Sequence, residues 1–457
     1  MNRDTIVAVA TCPGNGGISI IRISGDEAVE IADKVFVFGQ NDKLAESESH
    51  ILHYGHAVYE GRIIDECMAV VMRAPKSYTK EDCVEIHCHG GALVTENVLT
   101  SLIKSGAVPA EPGEFTKRAF LNGRIDLTEA EAVMDVISSE NRYALACSVN
   151  QLNGQLKKTI TDLRSRILEE TAFIEAAIDD PEHYELEDYA DTLGEKVDHL
   201  IREIRTLISS FDDGRLIKSG IKTVIIGKPN AGKSSILNYL SGRERAIVTD
   251  IPGTTRDTLE ENILLDGLKL IVTDTAGIHD TEDVVEKIGI SKAKEAVEEA
   301  DLILFVVDSF TEFDTSDEEI LSMVKEKKTV ILMNKSDLET RISEDDIKEK
   351  TNLPVIAFSA IEFKGKERLA ELLKEMLFAG KLEFNNQVYI TNVRQKNLLE
   401  EAVNSLENVR NSINNGLPED FYFIDLYDAY TRLGEIMGLT VDEDIINEIF
   451  GKFCMGK

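Results

Sequence analysis

Cysteine is sparse in this sequence: six residues (Cys12, Cys67, Cys83, Cys88, Cys147 and Cys454) are scattered over 457 positions with no C-x-x-C pair. That spacing excludes a disulfide framework, and free thiols fit a reducing compartment. Long apolar runs are missing as well. None reaches the roughly 18 residues that a membrane span requires, so no membrane role is expected. The N-terminal stretch MNRDTIVAVATCPGNGG places Asp4 early and ends its short apolar run at Pro13 and Gly14. It reads as a first strand and turn, not as a secretory signal, and the expected location is cytoplasmic. Positive charge is also short, with 50 Lys and Arg against 83 Asp and Glu and a net charge of −33. Such a chain repels nucleic acid globally. Any contact with RNA then needs a local basic patch or a partner that supplies the positive surface; a plain solvated acidic surface is the other reading. The sequence shows neither internal repeats nor low-complexity tracts.

What is present is ordinary soluble-globular composition, 43% hydrophobic and 29% charged, in a chain too long for one core. Three textures divide it. Residues 1–120 mix β-like runs (IVAVAT, ISIIRIS, CMAVVMRA, CVEIHC) with turns and two helix-like stretches, an N-terminal α/β or α+β domain. Residues 121–218 turn to long helical patterning, from Leu127 to Ser148, Leu152 to Ile178 and, beyond Pro181, Leu193 to Phe211. The segment Asp212 to Gly220 (DDGRLIKSG), with its two glycines, reads as a linker. In residues 219–383 the strand-like runs IKTVIIG, LKLIVTD, LILFVVD, TVILMN and PVIAFS alternate with helical patterns. That alternation marks a doubly wound, mostly parallel sheet. Residues 384–457 are helical again, with amphipathic stretches Gln395 to Ile413 and Phe421 to Met437. The expected architecture is multidomain: α/β plus an all-α bundle, with the doubly wound unit inserted into the helical domain.

The inserted unit carries the chemistry. Gly227 to Ser234 (GKPNAGKS) matches G-x-x-x-x-G-K-[ST], after a strand and before the helical run Lys233 to Leu240. Glycines let backbone N–H groups curl around phosphates, and the helix N-terminus adds partial positive charge. Lys233 is expected to reach the β- and γ-phosphates and Ser234 to ligate Mg²⁺, with Asn230, Ala231, Gly232 and Ser235 completing the cradle. Chance produces this pattern in roughly 1–2% of chains of this length, and the strand–loop–helix context lowers that further. Thr249, Asp250, Ile251, Pro252, Gly253, Thr254 and Thr255 suit a switch loop whose last threonine completes the Mg²⁺ shell. Asp274, Thr275, Ala276 and Gly277 form D-x-x-G, with Asp274 holding the metal's water shell and Gly277 facing the γ-phosphate. Asn334, Lys335 and Asp337 form N-K-x-D after a strand, and Ser359 and Ala360 follow another. A carboxylate at Asp337 accepts from guanine N1–H and the exocyclic amine, whereas adenine N1 meets it with a lone pair. The site selects GTP.

One expected residue is missing. Where Ras-like switches place a water-orienting glutamine after D-x-x-G, this chain has Ile278. His279, Glu282, Asp283 and Glu286 are the nearby candidates, and Arg256 does not stand out as an arginine finger. A monovalent cation held by Asn230 and the Thr249–Thr254 loop would stabilise the charge developing between the β- and γ-phosphates.

Taken together, GKPNAGKSSILN, TDIPGTTRD, DTAG, the helical flanks and the terminal FCMGK resemble the MnmE (TrmE) family of tRNA-modification GTPases. The segments DTIVAVAT, GGISIIRISG, SYTKEDCVEIHCHGG, PGEFTKRAFLNGRIDL and EAEAVMDVI match as well, so the resemblance spans essentially the whole chain. It implies a folate-binding, dimerising N-terminal domain, a helical domain and an inserted G domain. It implies a homodimer, and a heterotetramer with an FAD-binding MnmG-type protein. That assembly adds an aminomethyl or carboxymethylaminomethyl group to C5 of the wobble uridine of certain tRNAs, with tRNA reached mainly through the partner. The carbon comes from a reduced folate, 5,10-methylene- or 5-formyl-tetrahydrofolate. Hydrolysis is K⁺-stimulated, the ion replacing an arginine finger as G domains pair. Carried over by motif, K⁺ falls on Asn230, Thr249, Ile251 and Thr254, and Mg²⁺ on Ser234 and Thr255. The water-orienting role falls on Glu286, giving a catalytic set of Lys233, Thr255 and Glu286. The folate residues fall on Arg22, Glu85, Arg124 and Lys457; some relatives carry lysine where Arg124 stands, and a planar fork differs from a point charge.

Other features carry less. Cys83, His87, Cys88 and His89 look like a metal cluster, but strand alternation turns Cys88 away from both histidines and no second ligand pair exists at zinc spacing. Cys454, near Lys457, reads as a site-lining residue. The alternative function, a ribosome-assembly GTPase of the same P-loop class, would carry an appended basic RNA-binding domain, whereas the tail after residue 384 is acidic and helical. A non-catalytic nucleotide-gated scaffold conflicts with the intact Lys233, Ser234, Thr255 and Asp274.

Overall fold

The computed structural model describes residues 4–40, 42–180, 183, 189–242, 260–273, 295–378, 388–453 and 456. It divides into two compact units, one of residues 1–134, 156–165 and 430–457, the other of 135–155 and 166–429.

In the first unit, β1 (Ile6–Val9), β2 (Ile18–Ser24), β3 (Phe36–Val37), β4 (Leu52–Tyr59), β5 (Arg62–Met72), β6 (Cys83–His89) and β7 (Val108–Pro109) form one sheet. Its order is β3-β4-β5-β6-β2-β1-β7, with only β1 and β7 paired in parallel. Strand alternation decides its two faces. Ile21, Ile23, Ala69, Val71, Val84 and Ile86 are buried on one face, against Ala28 and Ile31 of α1 (Ala28–Asp33) and Val98 and Leu102 of α2 (Ala92–Lys104). The opposite face carries Arg22 and Glu85, directly across from each other in the β2–β6 register. The α3 helix (Glu114–Leu121) supplies Phe115 to a small cluster with Ile6 and Ala8 behind that face.

The chain then runs through α4 (Leu127–Ser138), α5 (Arg142–Leu152), α6 (Gln155–Asp179) and α7 (Tyr189–Ser219). The segment expected as a linker, Asp212 to Gly220, is the last part of α7, which stays helical through Ser219. The glycine that suggests a break serves close packing. A Cβ on Gly214 would lie 2.3 Å from the Ile390 carbonyl oxygen, so the helix needs a bare position where the 388–392 segment crosses it.

The second sheet contains β8 (Ile221–Gly227), β9 (Glu260–Leu265), β10 (Leu268–Thr273), β11 (Leu302–Asp308), β12 (Thr329–Asn334) and β13 (Val355–Ala357). Its order is β13-β12-β11-β8-β10-β9, parallel except for the edge strand β9, which is absent from the strands expected from sequence. β11 and β12 are buried along their whole length, as expected for parallel strands covered on both faces. One face packs on α8 (Lys233–Ser241) and, further along the chain, the helix Lys366–Phe378. The other face packs on α9 (Thr315–Val324) and α10 (Glu344–Lys348), and the helix Lys366–Phe378 is labelled α11. Three helices follow: α12 (Val393–Asn414), α13 (Glu419–Ile436) and α14 (Glu443–Gly451). Among the described residues no helix is long and apolar enough to cross a membrane.

Candidate nucleotide-binding site

β8 lies between β10 and β11, so the chain leaves its C-terminal end where the strand order reverses. At such a switch point the neighbouring connections diverge and open a crevice. The loop from Gly227 to Gly232 sits there, followed at once by α8. Gly232 adopts a left-handed φ of 96°, and a Cβ on it would lie 2.1 Å from Asn334 Nδ2. Only glycine suits both the backbone and the space. Asn334, at the end of β12, is buried and donates from Nδ2 to the Ala231 carbonyl at 2.9 Å. The N-K-x-D segment is therefore tied to the phosphate loop by a direct hydrogen bond.

Lys233 Nζ donates to the Gly227 and Lys228 carbonyls, each at 2.9 Å, which keeps the ammonium over the loop. Asn230, Ser234 and Ser235 are exposed at the loop and the first turn of α8, and Ala231 is buried beneath them. On the loop's flank Lys228 pairs with Asp317 at 2.6 Å and Asp314 at 2.9 Å. Desolvation opposes its ammonium, but the two carboxylates outweigh that and hold its pKa above the usual value.

The side expected to face the base is assembled from two strand ends. Ser359 Oγ donates to Asp337 Oδ1 at 2.6 Å, and the Ala360 N–H donates to Asn334 Oδ1 at 3.4 Å. Lys335, at a left-handed φ of 64°, pairs through Nζ with Asp308 at 2.5 Å. The structure thus brings Asn334, Lys335, Asp337, Ser359 and Ala360 together beside the loop that holds Ala231, Gly232 and Lys233. Thr249, Asp250, Ile251, Pro252, Gly253, Thr254, Thr255, Asp274, Thr275, Ala276, Gly277 and Glu286 lie outside the described residues, as do Cys454 and Lys457.

A second cluster occupies the first unit. Arg22 Nε donates to Glu85 Oε1 at 2.8 Å, and both side chains are largely shielded from solvent, at 15% and 16% exposure. His87 Nε2 stands 3.5 Å from the other carboxylate oxygen. His87 first, and Arg22 with it, hold the Glu85 carboxyl below the usual range against the burial that would raise it. The Arg22 guanidinium lies 5.2 Å from the Tyr78 ring centre and 5.7 Å from that of Phe115, and Arg124 lies 4.7 Å from Tyr78. Two cations thus share one aromatic ring, whose hydroxyl is hydrogen-bonded to Thr116 at 2.9 Å. Of the residues that resemble a metal cluster, Cys88 is buried on the helix-covered face and His89 is exposed, 2.8 Å from Asp65.

Comparison with known proteins gives this geometry a family. Residues 5–124 match the model described as GTP-binding protein TrmE N-terminus, and residues 127–454 match the MnmE helical domain. The chain belongs to the MnmE family of tRNA modification GTPases. A tRNA modification GTPase MnmE from Lachnoclostridium phytofermentans is 53% identical over 458 residues, covering 100% of both chains. Relatives of the same name from Acetivibrio thermocellus and Carboxydothermus hydrogenoformans are each 46% identical over 461 residues, covering 100% of this chain and 99% and 100% of theirs.

In this MnmE-family chain the structure adds four residues to the two clusters expected from sequence. Tyr78 and Phe115 flank Arg22, His87 shares Glu85, and Asp308 holds Lys335. Asp308 carries a sequence signal, since it ends the strand LILFVVD at the mouth of a doubly wound sheet. Tyr78 and Phe115 lie inside the family-like segments SYTKEDCVEIHCHGG and PGEFTKRAFLNGRIDL, but nothing in their spacing separates them from core aromatics.

Proposed function

We propose that this chain is a K⁺-stimulated GTPase that works as a homodimer with an FAD-binding MnmG-type partner. Together they add an aminomethyl or carboxymethylaminomethyl group to C5 of the wobble uridine of certain tRNAs. The one-carbon unit comes from a reduced folate, and tRNA is engaged mainly through the partner. The observation that carries the nucleotide half is the Asn334–Ala231 bond, which locks the N-K-x-D segment to the phosphate loop. In this reading Asp337 reads guanine, Lys233 meets the β- and γ-phosphates, and Glu286 orients the attacking water. Ser234 is exposed at the start of α8, where it and Thr255 would hold Mg²⁺. The metal would neutralise phosphate charge.

Asn230, Thr249, Ile251 and Thr254 would hold K⁺, which takes the place of an arginine finger. Support comes from Ile278, which cannot orient water, and from Asn230, exposed on the loop at a left-handed φ of 63°. For folate, Arg22, Glu85 and Arg124 offer a carboxylate and two guanidiniums around aromatic rings, suited to a planar heterocycle with polar edges and an anionic tail. Lys457 would complete that set. The deciding measurement is GTP turnover of the full-length chain in KCl against NaCl at equal ionic strength. Turnover is expected to be at least about 10-fold faster in KCl, and equal rates would remove the potassium reading.

A further inference from the structure

The first turn of α5 belongs to the sequence-defined helical region, yet it is built into the core of the nucleotide-binding sheet. Tyr143 and Ala144 are buried in one cluster with Ile263 and Leu265 of β9, Leu268 and Leu270 of β10, and Leu373 and Leu377 of α11. β9 and β10 form a two-residue hairpin through Asp266 and Gly267, both at positive φ, with Leu265 opposite Leu268. Arg142 lies across its tip, donating to the Asp266 carbonyl at 2.8 Å and to its carboxylate at 2.9 Å. A Cβ on Gly267 would meet Arg142 Nε at 2.3 Å, so the close approach depends on glycine. Lys374 of α11 pairs with the same carboxylate, and Lys269 of β10 pairs with Glu140 at 2.7 Å.

The hairpin's ends decide what this grip can do. Glu260 pairs with Thr273 at its open end. Thr255 precedes Glu260 by five residues and Asp274 follows Thr273 directly. In sequence, the two residues assigned to the Mg²⁺ and γ-phosphate side thus lie five positions before and one position after a single hairpin, whose tip is held by α5. Asp337, assigned to the base, and Lys233, assigned to the β- and γ-phosphates, stand outside this hairpin, after β12 and at the start of α8.

We propose that Tyr143 and Arg142 are positioning residues for GTP hydrolysis, acting through the β9–β10 hairpin. The proposal rests on the reading of Thr255 and Asp274 given above. The exposed ion pairs contribute little by themselves; the buried Tyr143 ring sets the hairpin's seat and Arg142 fixes its tip. Through this seat the helical region biases turnover without touching nucleotide.

The test uses the full-length chain with Tyr143→Ala, Arg142→Ala and the conservative Tyr143→Phe. Turnover at saturating GTP in KCl and the Kd for fluorescent GDP are measured well below each variant's melting temperature. In Tyr143→Ala, kcat is expected to fall about 10-fold and GDP affinity to stay within about 3-fold. Arg142→Ala should show a smaller loss of the same kind, and Tyr143→Phe should restore the rate. A lowered melting temperature with unchanged kcat, or GDP affinity falling in step with kcat, would overturn the proposal. Failure of the underlying reading looks different, since Asp274→Ala would then leave parental turnover unaffected.

Discussion

The phosphate-loop site and the Arg22 cluster are built on opposite plans. The first is a run of adjacent residues, Gly227 to Ser235, closed by segments that end neighbouring parallel strands. The second gathers Arg22, Tyr78, Glu85, Phe115 and Arg124 from separate stretches of chain. A phosphate is gripped mainly by backbone N–H groups, which demands glycine at fixed spacing and a helix start at a fixed place. A planar, polar-edged ligand is gripped by side chains, and these need only converge in space. The first plan leaves a motif in the sequence and the second leaves scattered residue types.

This contrast is sharpened first by Asp337→Asn. Replacing the carboxylate should lower GTP affinity by about 10²–10³-fold and shift preference toward xanthine nucleotides, because charge-assisted bonds to guanine are lost. Competition binding with GTP and XTP reads it, and retained GTP selectivity would contradict the role of Asp337. Next comes Glu286→Ala, for which turnover is expected to drop about 10²-fold at nearly unchanged GTP affinity. Single-turnover kinetics separate the two, and a fall in affinity alone would remove Glu286 as the water-orienting group.

On the other plan, Arg22→Ala should weaken binding of 5-formyl-tetrahydrofolate by at least about 10-fold in calorimetry while GTP turnover stays within about 2-fold. Loss of both together would mean that the two sites are not separately built, and no folate binding by the parent chain would refute the site. The smallest effect concerns pH. The Glu85 carboxyl is held below its ordinary pKa of 4.5, so its pairing stabilises the fold fully above that value. The contribution is lost as pH falls from there through the folded value. Urea midpoints measured between neutral pH and strongly acidic solution should converge for the parent and Glu85→Gln as the solution is acidified. A constant gap would show that the ion pair contributes nothing.

Much of the architecture is legible because periodicity and punctuation agree with it. The strands IKTVIIG, LILFVVD and TVILMN are continuous apolar runs, as a sheet covered on both faces requires, and each ends in a motif residue or one that pairs with it. The edge strand EENILL offers little signal, being short and half polar. Gly214 misleads for a physical reason: local propensity treats a glycine as a helix breaker, whereas here the missing side chain admits the Ile390 backbone.

By itself, then, the sequence determined the chemistry of the nucleotide loop, since glycine spacing, Lys233 and the N-K-x-D carboxylate act through local backbone geometry. It also specified which segments are strands and helices wherever apolar periodicity was long. Tertiary structure alone decided which distant side chains meet: Arg22 with Tyr78 and Phe115, Asp308 with Lys335, and Tyr143 with the β9–β10 hairpin. Those meetings depend on how sheets and helices pack, and packing is set by the sum of many weak, non-local contacts that no local pattern records.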